Sequence, residues 1–353
     1  MCMEFAIEAR HLREILDATR HAVSGSSVDP THAGVSLRVS GREVSAVGTD
    51  GDVTIEARAN CSVGTDGSCV VLHKPLATLV ALLDPKKSVG VKLEGAELVV
   101  SLEGMSPYRF RVLNVLFPTP IDPDGESVEV DLSMLGEVTT SVRAAVNKEH
   151  HGVQVVSEGS TLSFYATDHY RMHAVVLNGV SLGSFSGVVP LSVLERAAHH
   201  GAGAVVLDAN GKTVKFLSDR VSITSRLLGV SFPNVSAPLA VESAQTVKID
   251  VSLAREALAR LASVSDGSSI TVTGGSDGLQ FAASNNEVGS GSETLRVATE
   301  EMRFIMDRQY LLDALNSQKS EEVSLGYTSA TAPVFIKSGD NPSVVCVVMP
   351  MRV

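Results

Sequence analysis

Two pairs of adjacent histidines and one aspartate–histidine pair are the groups of this sequence best suited to metal binding or proton transfer. They are His150-His151, His199-His200 and Asp168-His169. Neighbouring side chains point apart on a helix or a strand, so neither histidine pair predicts a bidentate metal site. Asp168-His169 has no identifiable serine or cysteine nucleophile with an oriented partner. These residues therefore predict structural roles and no catalysis.

Four glycine-containing segments invite comparison with ion-binding and phosphate-binding loops. Gly48–Asp52 and Gly64–Gly67 lack the full calcium-loop pattern and its closing glutamate, which indicates turns. Gly274-Gly275 and Glu287–Gly291 lack the Lys-Ser/Thr pair that completes a phosphate-binding loop. The sequence therefore predicts a non-enzymatic protein with no metal and no other cofactor.

Composition limits the class of protein. The 353 residues carry 29 Lys and Arg against 40 Asp and Glu, a formal net charge of −11, and no Trp. This balance argues against nonspecific adhesion of the whole surface to nucleic acid or anionic membrane, although it allows a local basic surface. No signal peptide and no apolar stretch of about 20 residues is apparent, so a cytoplasmic protein is expected. Its thiols are dispersed and expected to be reduced: Cys2, Cys61, Cys69 and Cys346.

The chain repeats one pattern three times, an alternating strand followed directly by an amphipathic helix. The copies begin at Phe5, Val128 and Val247, about one third of the chain apart. Breaker residues lie near both junctions, at 122–125 and 237–238. We therefore expect three similar domains, with residues 1–126 as the N-terminal domain, 127–245 as the central domain and 246–353 as the C-terminal domain.

Each third contains a second strand–helix pair. The second helices begin near Leu76, Leu191 and Leu311, and alternating strands separated by turn residues fill the remaining sequence. A parallel nucleotide-binding fold would place a helix between most strands, which this pattern does not. The sequence predicts an α+β fold in which each domain has two helices on one side of antiparallel sheets.

The outer faces of these helices carry much of the positive charge. For any single helix, an ordinary solvated face explains the charge. If six equivalent helices line one surface, however, their cations would meet phosphate groups without reading bases. The candidate DNA-facing residues are Arg10, Arg13, Arg20, Lys74, Arg143, Lys148, Arg196, Arg255, Arg260 and Arg308.

Four motifs in order carry a resemblance to a known family. The C-terminal segment 347–353 matches the ending V-M-P-M-R-L in all but the last residue, and 166–172 is similar to A-T-D-G-H-R-L. Residues 224–234 are similar to T-S-K-L followed by F-P-D, and Gly48–Asp50 occupies the first-domain position of Ala166–Asp168. Over essentially its whole length the chain resembles the bacterial DNA polymerase III β subunit family, the sliding clamps, with a divergent paralogue as one possibility.

The resemblance implies a head-to-tail homodimeric ring of six similar domains that encircles duplex DNA. The implied partners are the DNA polymerase III alpha subunit, the clamp loader and other proteins that carry a clamp-binding motif. The dimer contact is expected around Arg109–Val112 and Thr271–Phe281. Partners of the family dock a short peptide between the second and third domains, and the matching residues are Thr167, His169, Tyr170, Arg171, Met172, Pro233, Val347, Met349, Pro350, Met351 and Arg352.

Three departures from the family pattern affect these expectations. His169 and Tyr170 replace the usual glycine and histidine, which makes the pocket rim bulkier, and Asp29 replaces an arginine expected to approach DNA. A second hypothesis is therefore a divergent paralogue that acts as an inhibitor-resistant or decoy peptide-binding protein. A third, an enzyme on a repeated α+β scaffold, has no catalytic constellation to support it.

Overall fold

The computed structural model describes residues 3–24, 29–119, 122–149, 151–208, 211–235, 239, 242–264, 269–338 and 343–352. Cys2, His150 and the residues 237–238, which the sequence analysis mentions, lie outside this part of the chain. The chain divides into two compact units, one of Met1–Leu132 with His199–Leu227 and one of Ser133–Ala198 with Leu228–Val353. No helix of the described residues is long and apolar enough to cross a membrane.

Six helices of seven or more residues occur in the described part of the chain, two in each predicted third. Each follows a strand, as the repeat predicts: five begin at the next residue, and the helix at Met134 begins after two intervening residues. Single turns of 3-10 helix extend three of them, at Arg20–Ala22, Arg143–Ala145 and Ala262–Val264, and one isolated helical turn spans Pro30–Ala33. The helices are α1 Ala9–Thr19, α2 His73–Leu82, α3 Met134–Val142, α4 Leu191–Ala197, α5 Val251–Leu261 and α6 Arg308–Asn316.

The first unit contains two antiparallel sheets. The smaller, in spatial order, consists of β5 Ser62–Thr65, β1 Glu4–Glu8, β7 Ser88–Glu94, β8 Glu97–Leu102 and β9 Tyr108–Arg111. The larger consists of β10 Ser127–Asp131, β15 Ala202–Leu207, β16 Thr213–Leu217, β17 Val221–Arg226, β4 Val53–Asn60, β3 Glu43–Thr49, β2 Gly34–Ser40 and β6 Gly67–Leu72.

The second unit also contains two antiparallel sheets. The larger, in spatial order, consists of β14 Phe185–Pro190, β11 Gly152–Glu158, β12 Thr161–Thr167, β13 Arg171–Asn178, β25 Val344–Val348, β24 Val334–Ser338, β23 Glu322–Tyr327 and β18 Gln245–Asp250. The smaller consists of β21 Gly289–Leu295, β20 Gly278–Asn285, β19 Ser269–Gly275 and β22 Met302–Asp307.

The buried positions along these strands and helices follow the periodicity of each type of element. In β1, Phe5 and Ile7 are buried and Glu4 is exposed, as expected for a strand with one face on a core. In α1 the buried stripe contains Leu12, Ile15 and Leu16, and burial of each such side chain contributes about 1.5–3 kcal/mol. Antiparallel sheets with one face covered by helices confirm the predicted α+β class.

Each large sheet passes from one predicted third into the next. Strand β4 pairs with β17 from Val53↔Ser225 to Ala57↔Val221, and β13 pairs with β25 from Arg171↔Val348 to Val175↔Val344. For this reason strands of the central third lie in both compact units. The division at 126 and 245 describes the order of repeats along the chain and stays a prediction.

Candidate peptide-binding site

The turn between β12 and β13 is built by its own polar side chains. The Thr167 hydroxyl donates to the carbonyl of Arg171 at 2.7 Å and accepts from the backbone N–H of His169 at 3.1 Å. Asp168 Oδ1 accepts from the N–H groups of Tyr170 and Arg171, both at 3.1 Å. Thr and Asp stabilise turns through such bonds, so this sequence holds the rim of the site in one conformation.

His169 occupies a backbone conformation that favours glycine, with φ of +76°. The same turn occurs in the first unit at Thr49–Val53, where the Thr49 hydroxyl bonds the carbonyl of Val53 at 3.1 Å and the N–H of Gly51 at 3.2 Å. Gly51, the counterpart of His169, has φ of +97°. The family's usual glycine at this position therefore has a conformational reason, and His169 adopts the same conformation at a cost.

The guanidinium of Arg171 is held on three sides and is only 10% exposed. Its Nε donates to Asp168 at 2.9 Å, and its Nη1 donates to Asp313 of α6 at 2.5 Å. The group also stacks 4.2 Å from the ring centre of Tyr310, where burial and the charge of Asp168 raise the pKa of the phenol. Gln309 in turn donates to Asp313 at 2.8 Å. Arg171 thus fixes the rim against α6.

An apolar floor lies beside this turn. Met172, Phe335 and Val347 form a buried cluster. Val347 is opposite Met172 in the β13–β25 register and opposite Phe335 in the β24–β25 register. Val235, Leu239 and Val345 pack against the cluster while staying partly exposed. Methionine is unbranched and polarisable, so such a floor adapts to different apolar side chains.

Exposed side chains surround the floor. Tyr170 is 65% exposed, and its carbonyl accepts from the N–H of Met349 at 2.9 Å. Met349 and Met351 are also exposed, and the N–H of Met351 donates to the carbonyl of Ile305 at 2.7 Å. Exposed large apolar residues beside a partly covered apolar cluster are typical of a binding surface.

The structure therefore brings most of the predicted pocket together. The rim holds Thr167, His169, Tyr170 and Arg171, the floor holds Met172 and Val347, and Met349 is bonded to the rim. Pro233 lies two residues before Val235, while Pro350, Met351 and Arg352 continue from Met349 along the C-terminal segment. Sequence reasoning missed four residues that complete the site: Phe335, Tyr310 and Asp313 of the third repeat and Leu239 of the central one.

Several of the predicted DNA-facing arginines bond within their own helix pair. Arg13 of α1 donates to the carbonyls of Ala81 at 2.7 Å and Leu83 at 3.1 Å, at the end of α2. Arg255 of α5 donates in the same way to Leu315 of α6 at 2.6 Å. Both arginines lie at the same place in their repeats, and Gly136 occupies it in the central one. These cations satisfy the free carbonyls at a helix C-terminus, a role that comparison of the three repeats would have indicated.

A contact in the opposite direction, from the second helix of a pair to the first, also occurs in both repeats. His73, the first residue of α2, bonds the carbonyl of Leu16 at 2.8 Å, and Arg308, the first residue of α6, bonds the carbonyl of Leu258 at 3.4 Å. Leu16 and Leu258 are equivalent positions of α1 and α5. The first and third helix pairs are therefore each held by bonds in both directions.

The remaining predicted cations differ in whether they form ion pairs. Arg10 pairs with Glu8 at 2.8 Å, Arg143 with Glu195 at 2.8 Å, and Arg260 with Glu256 and Glu293. Exposed side chains with no ion pair to described residues are Arg20, Lys74 and Lys148. Contact of any of the ten residues with DNA, including Arg196, stays a prediction.

Asp29 has a local structural role. Its Oδ1 accepts from the Thr31 N–H at 2.9 Å and from the Thr31 hydroxyl at 2.7 Å, which caps the helical turn that begins at Pro30. These bonds lower the pKa of the carboxyl. The aspartate is therefore explained by the turn it starts, and it puts negative charge where the family has positive charge.

Comparison with known proteins agrees with this geometry. The family description "DNA polymerase III beta subunit" matches twice, its N-terminal domain over residues 3–117 and its C-terminal domain over residues 239–352. The beta sliding clamp of Escherichia coli K12 is 26% identical over an alignment of 374 positions, which covers 99% of this chain and all of that protein. The Pseudomonas aeruginosa sliding clamp bound to griselimycin superimposes with a TM-score of 0.92 over the full length of both chains, at 23% identity.

Solved sliding clamps share the fold over the full length of the chain. The chain belongs to the DNA polymerase III beta subunit family. Its matches favour the clamp over the alternative of a decoy peptide-binding paralogue.

Proposed function

We propose that this chain is a non-catalytic processivity factor that works in the cytoplasm as a closed homodimeric ring around duplex DNA. The observation that carries the proposal is the apolar floor of Met172, Phe335 and Val347 beside the locked rim of Arg171. It lies where the family resemblance places the peptide-docking pocket. The proposed partners are duplex DNA, the DNA polymerase III alpha subunit, the clamp loader and other proteins with a clamp-binding motif.

Topology explains how an acidic protein can stay on DNA. A ring that surrounds the duplex does not need tight contacts, and weak contacts from Arg20, Lys74 and Lys148 to phosphates allow it to slide. The formal net charge of −11 then keeps DNA away from the rest of the surface. With no Trp and few other aromatic residues, base stacking has no part in this mechanism.

The pocket supplies the tether. Apolar side chains of a docking peptide would lie on Met172 and Val347, and the exposed Met349 would close over them. A polymerase held by such a peptide is present at high effective concentration near the primer end, so even modest affinity raises processivity. All residues of the proposed pocket belong to the second compact unit.

Edge strands indicate how two copies could join. Strand β9 is at the edge of its sheet, which supports the expected contact from Arg109 to Arg111, while Val112 forms a bridge with Val71 of β6. The expected contact at Thr271–Phe281 needs correction, because β19 and β20 are hydrogen-bonded on both sides. The edges of that sheet are β21 and β22, so we assign the second contact to one of them. A head-to-tail contact that closes after two copies gives a ring.

Loading onto nicked circular DNA tests the function. With a clamp loader and polymerase, the wild-type chain is expected to remain on the circle and to increase the length of synthesised DNA. Met349→Ala is expected to reduce both the loading and the increase in length, because the polymerase and the clamp loader are both proposed to dock in this pocket. A wild-type protein that stays monomeric at micromolar concentration in sedimentation, or folds yet never loads, would contradict the proposal.

A further inference from the structure

The peptide-binding site has a structural counterpart in the first unit. Leu113-x-x-x-Phe117-Pro118 repeats as Leu228-x-x-x-Phe232-Pro233. The N–H of Leu113 donates to Val70 at 2.7 Å and that of Leu228 to Val188 at 2.8 Å, so both segments leave their sheets in the same way. The counterpart turn Thr49–Val53 has the same side-chain hydrogen bonds as the turn Thr167–Arg171. The N–H of Arg226 donates to the carbonyl of Asp52, just as the N–H of Met349 donates to the carbonyl of Tyr170.

The floor of this second site is polar. Thr54 is opposite Thr224 in the β4–β17 register, at the positions that Met172 and Val347 occupy in the other unit. A groove of about 800 Å³ opens there, between the faces of β2, β3, β4 and β17 and the segment 112–119. Leu116, on the lip of the groove, is 95% exposed. A floor of hydroxyl groups excludes the apolar docking that suits the first pocket.

The groove contains an excess of unused donors. Arg38 is exposed and has no ion pair or hydrogen bond from its side chain to any described residue, and the same holds for the hydroxyls of Ser36, Ser45, Ser68 and Ser222. Ser68, Arg38, Ser45 and Arg58 lie side by side on neighbouring strands. Cations and hydroxyls in one row favour a ligand that brings several negatively charged acceptors.

The groove's own carboxylates do not oppose such a ligand. Glu56 bonds Arg58 at 3.1 Å, and Asp122 pairs with Lys215. Both are therefore neutralised by neighbours, while the charge of Arg38 is not. The complementary ligand has carboxylates spaced along an extended backbone and one apolar side chain for Leu116.

We propose that this groove, defined by Arg38, Ser45, Thr54, Ser222 and the lip at Leu116, binds an acidic extended peptide segment of a partner protein. It is separate from the apolar pocket of the second unit and selects by charge. A clamp would then have two different peptide sites per chain, one for apolar motifs and one for acidic ones.

Fluorescence anisotropy with a defined probe tests the proposal. The probe is a fluorescein-labelled ten-residue peptide of alternating glutamate and threonine with a central leucine, and its control has glutamine in place of glutamate. Arg38→Glu is expected to weaken probe binding at least tenfold. Arg42→Glu is the matched control, because Arg42 lies on the turn after β2, outside the groove lining, and makes the same charge change. Met349→Ala, which alters the apolar pocket at an exposed side chain, is expected to leave probe binding unchanged.

Four results would overturn the proposal. They are no binding of the probe at millimolar concentration, equal binding of the glutamine peptide, equal loss in Arg38→Glu and Arg42→Glu, and loss in Met349→Ala. The last result would place the acidic peptide in the apolar pocket. Circular dichroism of each variant, which must match wild type, shows that a loss of binding is not a loss of folding.

Discussion

The backbone at His169 is the clearest departure from what residue type alone predicts. A histidine at φ of +76° pays a steric cost that Gly51 avoids in the same turn of the first unit. The turn persists because Thr167 and Asp168 supply four hydrogen bonds around it. Strain retained at the rim of a candidate site is commonly linked to function.

Replacing His169 by glycine is expected to stabilise the protein by up to about 1 kcal/mol. The steric cost of the left-handed conformation disappears, and the greater freedom of glycine in the unfolded chain offsets part of the gain. Urea denaturation measures the change. Tyr170→Gly, at a neighbouring position without a positive φ, should lower stability; a His169→Gly protein no more stable than wild type would show that the conformation is not strained.

The same variant tests the size of the rim. His169 is exposed beside Tyr170, so its removal widens the entrance to the apolar floor. Peptides with the family's docking motif are expected to bind His169→Gly more tightly than wild type, as measured by titration calorimetry. Equal affinities would show that His169 does not restrict entry.

Asp313 is expected to act on peptide binding through Arg171. In Asp313→Asn one charged hydrogen bond to a 10% exposed guanidinium is weakened, which costs about 1.5–3 kcal/mol and loosens the rim. Affinity for a docking peptide should fall about tenfold or more. Glu256→Gln, an exposed carboxylate of α5, is the control and should bind as wild type; equal affinity of the two variants would remove Asp313 from the site.

At the scale of elements, alternation and helical periodicity were sufficient to predict strands, helices and the threefold repeat. They are local signals, and β1–α1, β10–α3 and β18–α5 are local units. The use of Arg13 as a cap for α2 was not predictable in this way, because its acceptors are far along the chain. The interior position of β19 was missed for the same reason: sheet order depends on distant pairings.

Most of the candidate site was predicted from motif resemblance. The residues that the resemblance did not indicate are, again, those brought together by contacts between distant parts of the chain. Phe335, Tyr310 and Asp313 carry no local signature, and they meet Met172 and Arg171 only once the chain has folded. Periodicity describes Met349 as an exposed residue near a strand, and its bond to the Tyr170 carbonyl depends on the β13–β25 pairing.

The capping arginine of the third helix pair is expected to contribute to stability. Arg255→Ala removes a bond to the carbonyl of Leu315 at the end of α6, at a cost of about 1–3 kcal/mol. Thermal or urea unfolding measures the loss. Arg260→Ala, on the same helix but with a fully exposed side chain, should unfold almost as wild type; similar losses in both would contradict the capping role.

Acid is expected to weaken the first helix pair through His73. Burial lowers the pKa of this imidazole below its usual value of 6.5, so the folded protein favours the neutral ring. Stability linked to His73 is therefore constant above about pH 6.5 and falls as the pH drops below that value. His73→Gln keeps a donor for the Leu16 carbonyl and should lose less stability than wild type between pH 7 and 5, as measured by urea unfolding at each pH.

At the scale of the whole molecule, topological binding predicts an unusual response to salt. Protein loaded on closed circular DNA should stay bound at about 0.5 M salt, where simple electrostatic binding to phosphates is lost. Cutting the circle should release it within the time needed to slide off the ends. Gel filtration of the loaded DNA before and after cutting measures both; release by salt alone would mean that the protein does not encircle the duplex.

A chromosome without free ends can enter a closed ring only through a gate. The paired runs β4–β17 and β13–β25 each bind one repeat to the next through five residue pairs. A gate along either run would have to break a whole strand pairing and remake it on every loading cycle. In the proposed ring the gate therefore lies where two copies meet, and the force that opens it acts on edge strands such as β9.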